Sequence, residues 1–237
     1  MNRRPWAVLA ALLVLAGLRA TGRTAQQPTV VVLPGPVMRG GLSLYEALSR
    51  RRSFRQFSPA RLTLPDLAQL LWVGQGITHP RGGRMSPSAG ALYPLEIVVA
   101  AGGVEELGPG VYRYLPVRRA LVALLPGDRR EALCSAAQRQ PWVKTAPIVW
   151  VSTAAPSRTT GRYGERGVRY LGIETGCEAQ SAMLEASAPG LGSCAVGAFD
   201  DAAVVRQPGL ASGETPLLMM PVGRPGSDLP GAGRAGL

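Results

Sequence analysis

Between Gly167 and Ala188 the chain sets Val168, Leu171, Thr175, Ala179, Ala182 and Ala186 at helical spacing, and Pro189-Gly190 then stops the run. This is the longest helix the sequence can form, and its small apolar side chains demand close approach by whatever packs on them. The rest of the chain is therefore expected to wrap around it as a buried spine.

The flanking segments supply the layers for that packing. Ser43-Leu44-Tyr45-Glu46 is a capping box, in which hydroxyl and carboxylate satisfy reciprocal backbone donors, and it predicts a helix from about Leu44 to about Arg52. Thr63 caps a second helix with Pro65 and Asp66 in its first turn, Leu67, Leu70 and Leu71 on its apolar face, and Gly74 or Gly76 at its end. Gly, Pro and Ser dominate from there to Gly90. Apolar, β-branched runs at Glu96–Ala101, Gly110–Leu115 and Pro147–Thr153 read as strands of a central sheet, with a helix over Asp128–Ala137 among them. Strands at Ser193–Gly197 and Pro216–Val222, with a short helix near Asp201–Arg206 between them, complete one α+β or α/β domain without internal repeats. A composition of 46% hydrophobic and 17% charged residues fits such a domain and excludes a disordered chain, a collagen or a pure coiled coil.

The first stretch stands outside this domain. Arg3 and Arg4 precede an apolar run, Ala7–Leu18, that is short for a bilayer span, and Ala20 and Gly22 have the spacing of a cleavage site. Residues 1–22 thus read as an export signal, and Asn2-Arg3-Arg4-Pro5-Trp6 loosely resembles the twin-arginine type used by proteins exported already folded. The expected location is periplasmic or extracellular, with membrane contact only through the uncleaved signal; a buried N-terminal helix is the alternative and implies the cytoplasm. Residues 23–41 read as a Pro/Gly-rich connector with little capacity to pack, 42–225 as the folded domain and 226–237 as a C-terminal tail.

Lysine and arginine number 26 against 15 acidic residues, a formal net charge of +11, and every basic residue except Lys144 is arginine. The arginines are spread along the chain and aromatics are only 5%, whereas a nucleic-acid surface gathers charge and stacking groups on one stripe, so no nucleic-acid partner is expected. Cys134, Cys177 and Cys194 lack C-x-x-C spacing and His79 is the single histidine, which excludes a zinc site of the usual kind. Cys177 and Cys194 read as small core residues. His79 sits in a Gly/Pro-rich loop with no nucleophile motif nearby, so a hydrolase is not indicated.

Three segments could carry chemistry. Arg50-Arg51-Arg52-Ser53-Phe54-Arg55, at the end of the first helix, gathers guanidinium forks and a hydroxyl that match a phosphate, although cations at a helix C-terminus also simply complement its dipole. Ser86-Pro87-Ser88-Ala89-Gly90-Ala91-Leu92-Tyr93-Pro94 is a run of small residues before a strand, where a planar ligand could lie against bare backbone or where an ordinary turn could form. Gly190-Leu191-Gly192-Ser193, leading to Ala195-Val196-Gly197-Ala198-Phe199, flanks an apolar strand with glycines but lacks the spacing of a dinucleotide fingerprint.

Taken in this order, with Gly110-Val111-Tyr112 and Tyr163-Gly164-Glu165-Arg166-Gly167-Val168-Arg169-Tyr170 between them, these segments resemble the nitroreductase family of flavoproteins, most closely its branch of SagB-type azoline dehydrogenases. The resemblance spans roughly Leu42 to Pro225. It implies an α+β fold with a central mixed β-sheet surrounded by helices, built as a homodimer with FMN at the subunit interface. It implies that Arg51, Arg52, Ser53 and Arg55 hold the flavin phosphate and ribityl chain, and that Pro87, Ser88, Ala89 and Gly90 meet the isoalloxazine ring from the partner subunit. Val196, Gly197 and Ala198 would lie on the other side of the ring, with Arg234, or less favourably Arg224, as a further phosphate ligand. In azoline-forming relatives a Lys-Tyr pair serves as base. Arg162-Tyr163 stands in that place here, which makes Tyr163 the candidate catalytic residue and, because arginine cannot act as a base, argues against azoline oxidation. A further departure is Cys177, where relatives commonly carry a histidine.

The function implied is two-electron transfer at flavin N5 to or from a small organic substrate: a nitro compound, a quinone or a peptide-derived heterocycle. NAD(P)H is the electron donor common in the family, and export stands against it because nicotinamides are scarce outside the cytoplasm. The alternative is a flavin-binding or flavin-free member without redox turnover that sequesters or interacts. A basic surface binder of nucleic acid or anionic lipid has only the net charge behind it.

Overall fold

Ser43 and Thr63 start the first two helices by the same device. The Ser43 hydroxyl accepts from the Glu46 N–H at 3.3 Å while the Glu46 carboxylate accepts from the Ser43 N–H at 2.9 Å, and Thr63 and Asp66 repeat the exchange. The computed structural model describes residues 29–206 and 212–226. Its elements are β1 (Val30–Val32), α1 (Leu44–Arg50), α2 (Leu64–Gln75), β2 (Leu95–Ala101), β3 (Gly110–Leu115), β4 (Ala120–Pro126), α3 (Arg130–Ala136), α4 (Pro141–Thr145), β5 (Ile148–Ala154), α5 (Ser157–Tyr163), α6 (Arg166–Ser187), β6 (Gly192–Ser193), α7 (Asp201–Val205) and β7 (Thr215–Gly223). The export-signal stretch, Arg234 and nearly all of the C-terminal tail lie outside the described residues.

The strands form one sheet in the order β1-β4-β3-β2-β5-β7-β6, with antiparallel pairing between the named strands. Parallel pairing enters at the isolated bridge of Ser53 with Ser193 of β6, which makes the sheet mixed. Every residue of β5 is buried, as expected of a strand covered on both faces. Alternate residues divide the core accordingly. Ile97, Val99, Trp150, Met220 and Val222 pack under α2 and α6, whereas Val98, Ala100, Val149, Val151 and Met219 pack under α3, α4 and α7. The result is an α+β fold with helices on both faces of the sheet.

The spine helix forms as its spacing predicts, with Leu171, Thr175, Ala179, Ala182 and Ala186 buried. Val168 departs from the expectation and is 59% exposed, because Gly167 is the residue that meets α5; a Cβ there would lie 3.0 Å from the Thr159 carbonyl carbon. Glu174 and Glu178 take buried positions on the apolar face. The stretch read as a non-packing connector contributes β1, and Leu33 is 5% exposed, since β4 offers it a free edge to pair with. The sequence reading also passes over β4, α4 and α5. The last two are short and make no 3.6-residue apolar repeat long enough to stand out. The strand expected over Ser193–Gly197 is broken at Cys194 and Ala195, yet its register resumes at the Val196–Met219 bridge.

Candidate functional site

The arginine-rich segment leaves α1 at Arg51, whose N–H bonds the Ala47 carbonyl, and continues extended onto the end of the sheet. Phe54 N–H donates to the Ser193 carbonyl at 2.9 Å, beside the Ser53–Ser193 bridge. This close approach requires a bare Cα at Gly192, where a Cβ would fall 2.6 Å from the Phe54 ring. Ser53 and Arg55 thereby come to face the Cys194 thiol: burial pushes its pKa up, while the Arg55 charge and hydrogen bonds from Arg55 and Ser53 pull it down. The Arg55 guanidinium also lies 5.6 Å from the centre of the Trp142 ring. Arg52 is turned differently. One of its guanidinium nitrogens donates to the Ser49 and Arg51 carbonyls at 2.7 and 2.8 Å, the helix-terminal role that a basic residue can always play. Arg51 is partly buried, and Arg50 pairs with Glu46 at 3.7 Å.

The third sequence segment joins this group. Val196 exchanges both backbone hydrogen bonds with Met219 and is buried, whereas Gly197 and Ala198 are exposed. Among the described residues nothing lies within 4 Å of the place a Gly197 Cβ would occupy, which leaves bare backbone for a ligand there. Gln140 fixes the turn by donating to the Ala198 carbonyl at 3.2 Å. Arg224, the lesser candidate for a phosphate, is spent elsewhere: it donates to the Pro189 carbonyl and pairs with Asp66 at 3.4 Å, tying the end of α6 to the start of α2.

Side chains from several elements hold the loop between α2 and β2. The buried Ser86 hydroxyl donates to the Gly74 carbonyl at 2.7 Å, the Ser88 hydroxyl accepts from Tyr93 N–H at 2.9 Å, and the buried Glu174 carboxylate accepts from Ala89 N–H at 2.8 Å. Arg158 donates to the Tyr93 carbonyl at 3.0 Å, and the Arg84 guanidinium lies 4.6 Å over the Tyr93 ring. These contacts hold a strained backbone, with Gly90, Ala91 and Tyr93 at φ of 63°, 53° and 46°. Each non-glycine in that region costs about 1–2 kcal/mol, so the surrounding bonds over-determine a conformation the chain would otherwise leave. Arg162 and Tyr163 of α5 reach the same place: a Cβ on Gly90 would lie 2.7 Å from the Tyr163 hydroxyl and 2.9 Å from an Arg162 nitrogen. Pro87 and Gly90 are exposed.

Behind the loop lies a polar chain that the sequence reading missed. Glu178, fully buried, accepts from the Gln75 amide at 2.8 Å and from the Ser152 hydroxyl, which itself accepts from Trp150 at 2.9 Å. Gln75 passes the chain on by accepting from Arg84 at 2.9 Å. Burial raises the Glu178 pKa to about 7 against these hydrogen bonds and the Arg84 charge, and burial likewise lowers that of Arg84. The available signal was a pair of acids four apart on the helix face that also carries Leu171, Thr175, Ala179 and Ala182.

The structure therefore gathers Ser53, Arg55, Val196, Gly197 and Ala198 in one group, and Pro87, Ser88, Ala89, Gly90 and Tyr163 in another. Among the described residues no hydrogen bond or ion pair joins the two groups within one chain, and no three His, Cys, Asp or Glu are placed to hold a metal ion. The three cysteines are free, and Cys177 is partly exposed on α6 rather than in the core.

Comparison with known proteins places the chain in a family. The Nitroreductase family profile matches residues 48–224. A nitroreductase-family protein of Methanocaldococcus jannaschii is 42% identical over 183 residues, covering 77% of this chain and 91% of that one. Among solved structures, the E. coli microcin synthetase McbBCD complex with truncated pro-MccB17 bound is similar in fold, with a TM-score of 0.66 and 22% identity over 95% of this chain and 85% of that one. So is the NADPH:FMN oxidoreductase of Vibrio harveyi complexed with NAD+, at a TM-score of 0.56 and 19% identity over 77% of this chain and 68% of that one. From the span of the family match and the archaeal relative together, the chain belongs to the nitroreductase family.

Proposed function

We propose that this chain is an FMN-dependent oxidoreductase, working as a homodimer on a small organic substrate. The observation that carries the reading is the convergence of Ser53 and Arg55 beside open backbone at Gly197 and Ala198, an arrangement of donors and bare main chain that suits a phosphorylated, planar cofactor. FMN, when bound, would supply two-electron transfer at its N5, as the family resemblance implies. Arg55 and Ser53 would hold its phosphate and ribityl chain, with Arg51 and Arg52 beside them. The Pro87–Gly90 loop would supply backbone against the ring, and its fixed, strained geometry suits that task because it does not have to be ordered on binding. Tyr163, at the end of α5 against that loop, would touch substrate.

That no hydrogen bond or ion pair joins the two groups among the described residues suits their meeting across a dimer. So does the exposed face of α6, where Val168 and Ile173 are 59% and 55% exposed and nothing lies within 4 Å of the Cβ positions of Gly172 and Gly176. The substrate class remains the one implied by the family: nitro compound, quinone or peptide-derived heterocycle. Arg162 weighs against azoline dehydrogenation, since a permanently charged guanidinium takes up no proton. Export by residues 1–22 is part of the proposal, and the intact mass of the protein from the cell envelope tests it.

The deciding experiment is the visible absorption spectrum of the protein purified without added cofactor, with identification of any released chromophore. Bands of FMN are expected. Arg55→Ala should weaken retention about tenfold, and Arg52→Ala less, because Arg52 already serves the end of α1. A colourless protein that takes up no added FMN overturns the reading. Bound flavin that no quinone or nitro acceptor reoxidises overturns its catalytic part and leaves a flavin-binding protein.

A further inference from the structure

α5 carries two arginines one turn apart, both touching the α2–β2 loop, and their charges meet different fates. Arg158 is neutralised by Glu96 at 2.7 Å and bonded to the Tyr93 carbonyl. Arg162 is not neutralised. Its guanidinium lies 5.4 Å from the centre of the Tyr163 ring, and among the described residues it has no ion pair or hydrogen bond. The Tyr163 hydroxyl is equally unspent; the ring meets Tyr170 edge-on at 5.2 Å, but among the described residues no hydrogen bond engages the oxygen. Both groups converge on the bare Cα of Gly90, within 2.9 Å of the position a Cβ would take. Arg166 and Arg169 lie exposed at the start of α6, outnumbering the neighbouring exposed Glu165.

An always-ionised fork and a phenolic donor packed side by side on the bare Cα of Gly90, neither engaged by an acceptor among the described residues, suit a planar two-oxygen anion on their outward side. The edge-on Tyr163–Tyr170 pair beside them offers an aromatic surface to the ring that bears it. We infer that Arg162 and Tyr163 form a carboxylate clamp at the mouth of the site, so that the substrate class is an aromatic or conjugated molecule carrying a carboxylate. This rests on the reading of the Pro87–Gly90 loop as the flavin contact. The positive charge that makes Arg162 useless as a base is what makes it a permanent anion ligand.

The test is calorimetric binding of 4-nitrobenzoate and its neutral counterpart 4-nitrobenzamide to the oxidised, FMN-loaded protein. The carboxylate is expected to bind about tenfold tighter than the amide, and Arg162→Gln or Tyr163→Phe should each reduce that preference about fivefold. Arg162→Gln should keep the amide affinity within about twofold, and added salt should weaken only the carboxylate. Arg162 is exposed, so its substitution should leave folding and flavin content intact. Equal affinity for the two ligands in the loaded wild type, or a preference that survives Arg162→Gln, overturns the inference and leaves the flavin reading standing. Failure to load FMN overturns the flavin reading itself and the clamp with it.

Discussion

Glu178 offers the sharpest test of the interior. Its carboxyl is fully buried and its pKa rises from 4.5 to about 7, with burial as the dominant cause. Below pH 4.5 the folded and unfolded chains both carry the proton, and the group contributes nothing to the pH dependence of stability. Between 4.5 and about 7 the unfolded chain releases a proton that the folded chain keeps, so stability falls as pH rises, and above that range the deficit is constant. The full deficit is about 3 kcal/mol, from the size of the shift. Glu178→Gln should remove it, because an amide reproduces the protonated acid: its oxygen accepts from Gln75 and its nitrogen donates to the Ser152 oxygen, which has a lone pair left beside the Trp150 bond. The assay is thermal unfolding of both proteins near pH 4.5 and about pH 8 with flavin content held equal. The variant should match wild type in acid and exceed it by about 6–12 °C in Tm at the higher pH. A variant that trails wild type by the same margin at both values would refute the argument, and would mean that Arg84, acting through Gln75, already compensates an ionised Glu178.

Two smaller perturbations probe the packing and the loop. Gly74→Ala would set a Cβ 2.4 Å from the buried Trp150 ring and should cost about 1–3 kcal/mol, read as a lower Tm; an unchanged Tm would show that the ring can move aside. Glu174→Leu removes the acceptor for Ala89 N–H and should cost about 1–3 kcal/mol while speeding amide exchange from Ala89 to Tyr93, whereas Glu174→Gln should restore most of the protection.

The legible parts of the fold were those where a local cause acts alone. Two capping boxes fixed where α1 and α2 begin, and helical spacing fixed α6 to within a residue of each end. What escaped was set by partners distant in sequence. β1 exists because β4 lies at the sheet edge and can take it, and Val30–Val32 carries no mark of that on its own. Burial of Glu174 and Glu178 is likewise tertiary: their partners, Ala89, Gln75 and Ser152, come from three other elements. The arginine run shows the same limit within the site. Four neighbouring guanidinium groups are equivalent in the sequence, and only the fold turns Arg52 to the helix carbonyls while turning Arg55 toward Cys194.

On the proposed reading, a flavin needs both groups of site residues and the partner supplies one of them, so flavin binding and dimer formation should be the same event seen by two methods. Gly172 gives a clean way to separate the chain from its pairing. It is exposed within α6, nothing among the described residues lies within 4 Å of its Cβ position, and any residue there other than proline raises helix propensity by up to about 1 kcal/mol. Gly172→Arg should therefore leave the monomer as stable as wild type or more so, while placing a large charge on the face with Val168, Ile173 and Gly176. Light scattering should show the variant as a monomer where wild type is a dimer, and its affinity for FMN should fall about a hundredfold, reflecting the contacts the partner no longer provides. A monomeric variant that binds FMN like wild type would show that one chain completes the site by itself, and the Pro87–Gly90 loop would then have to reach the flavin of its own subunit.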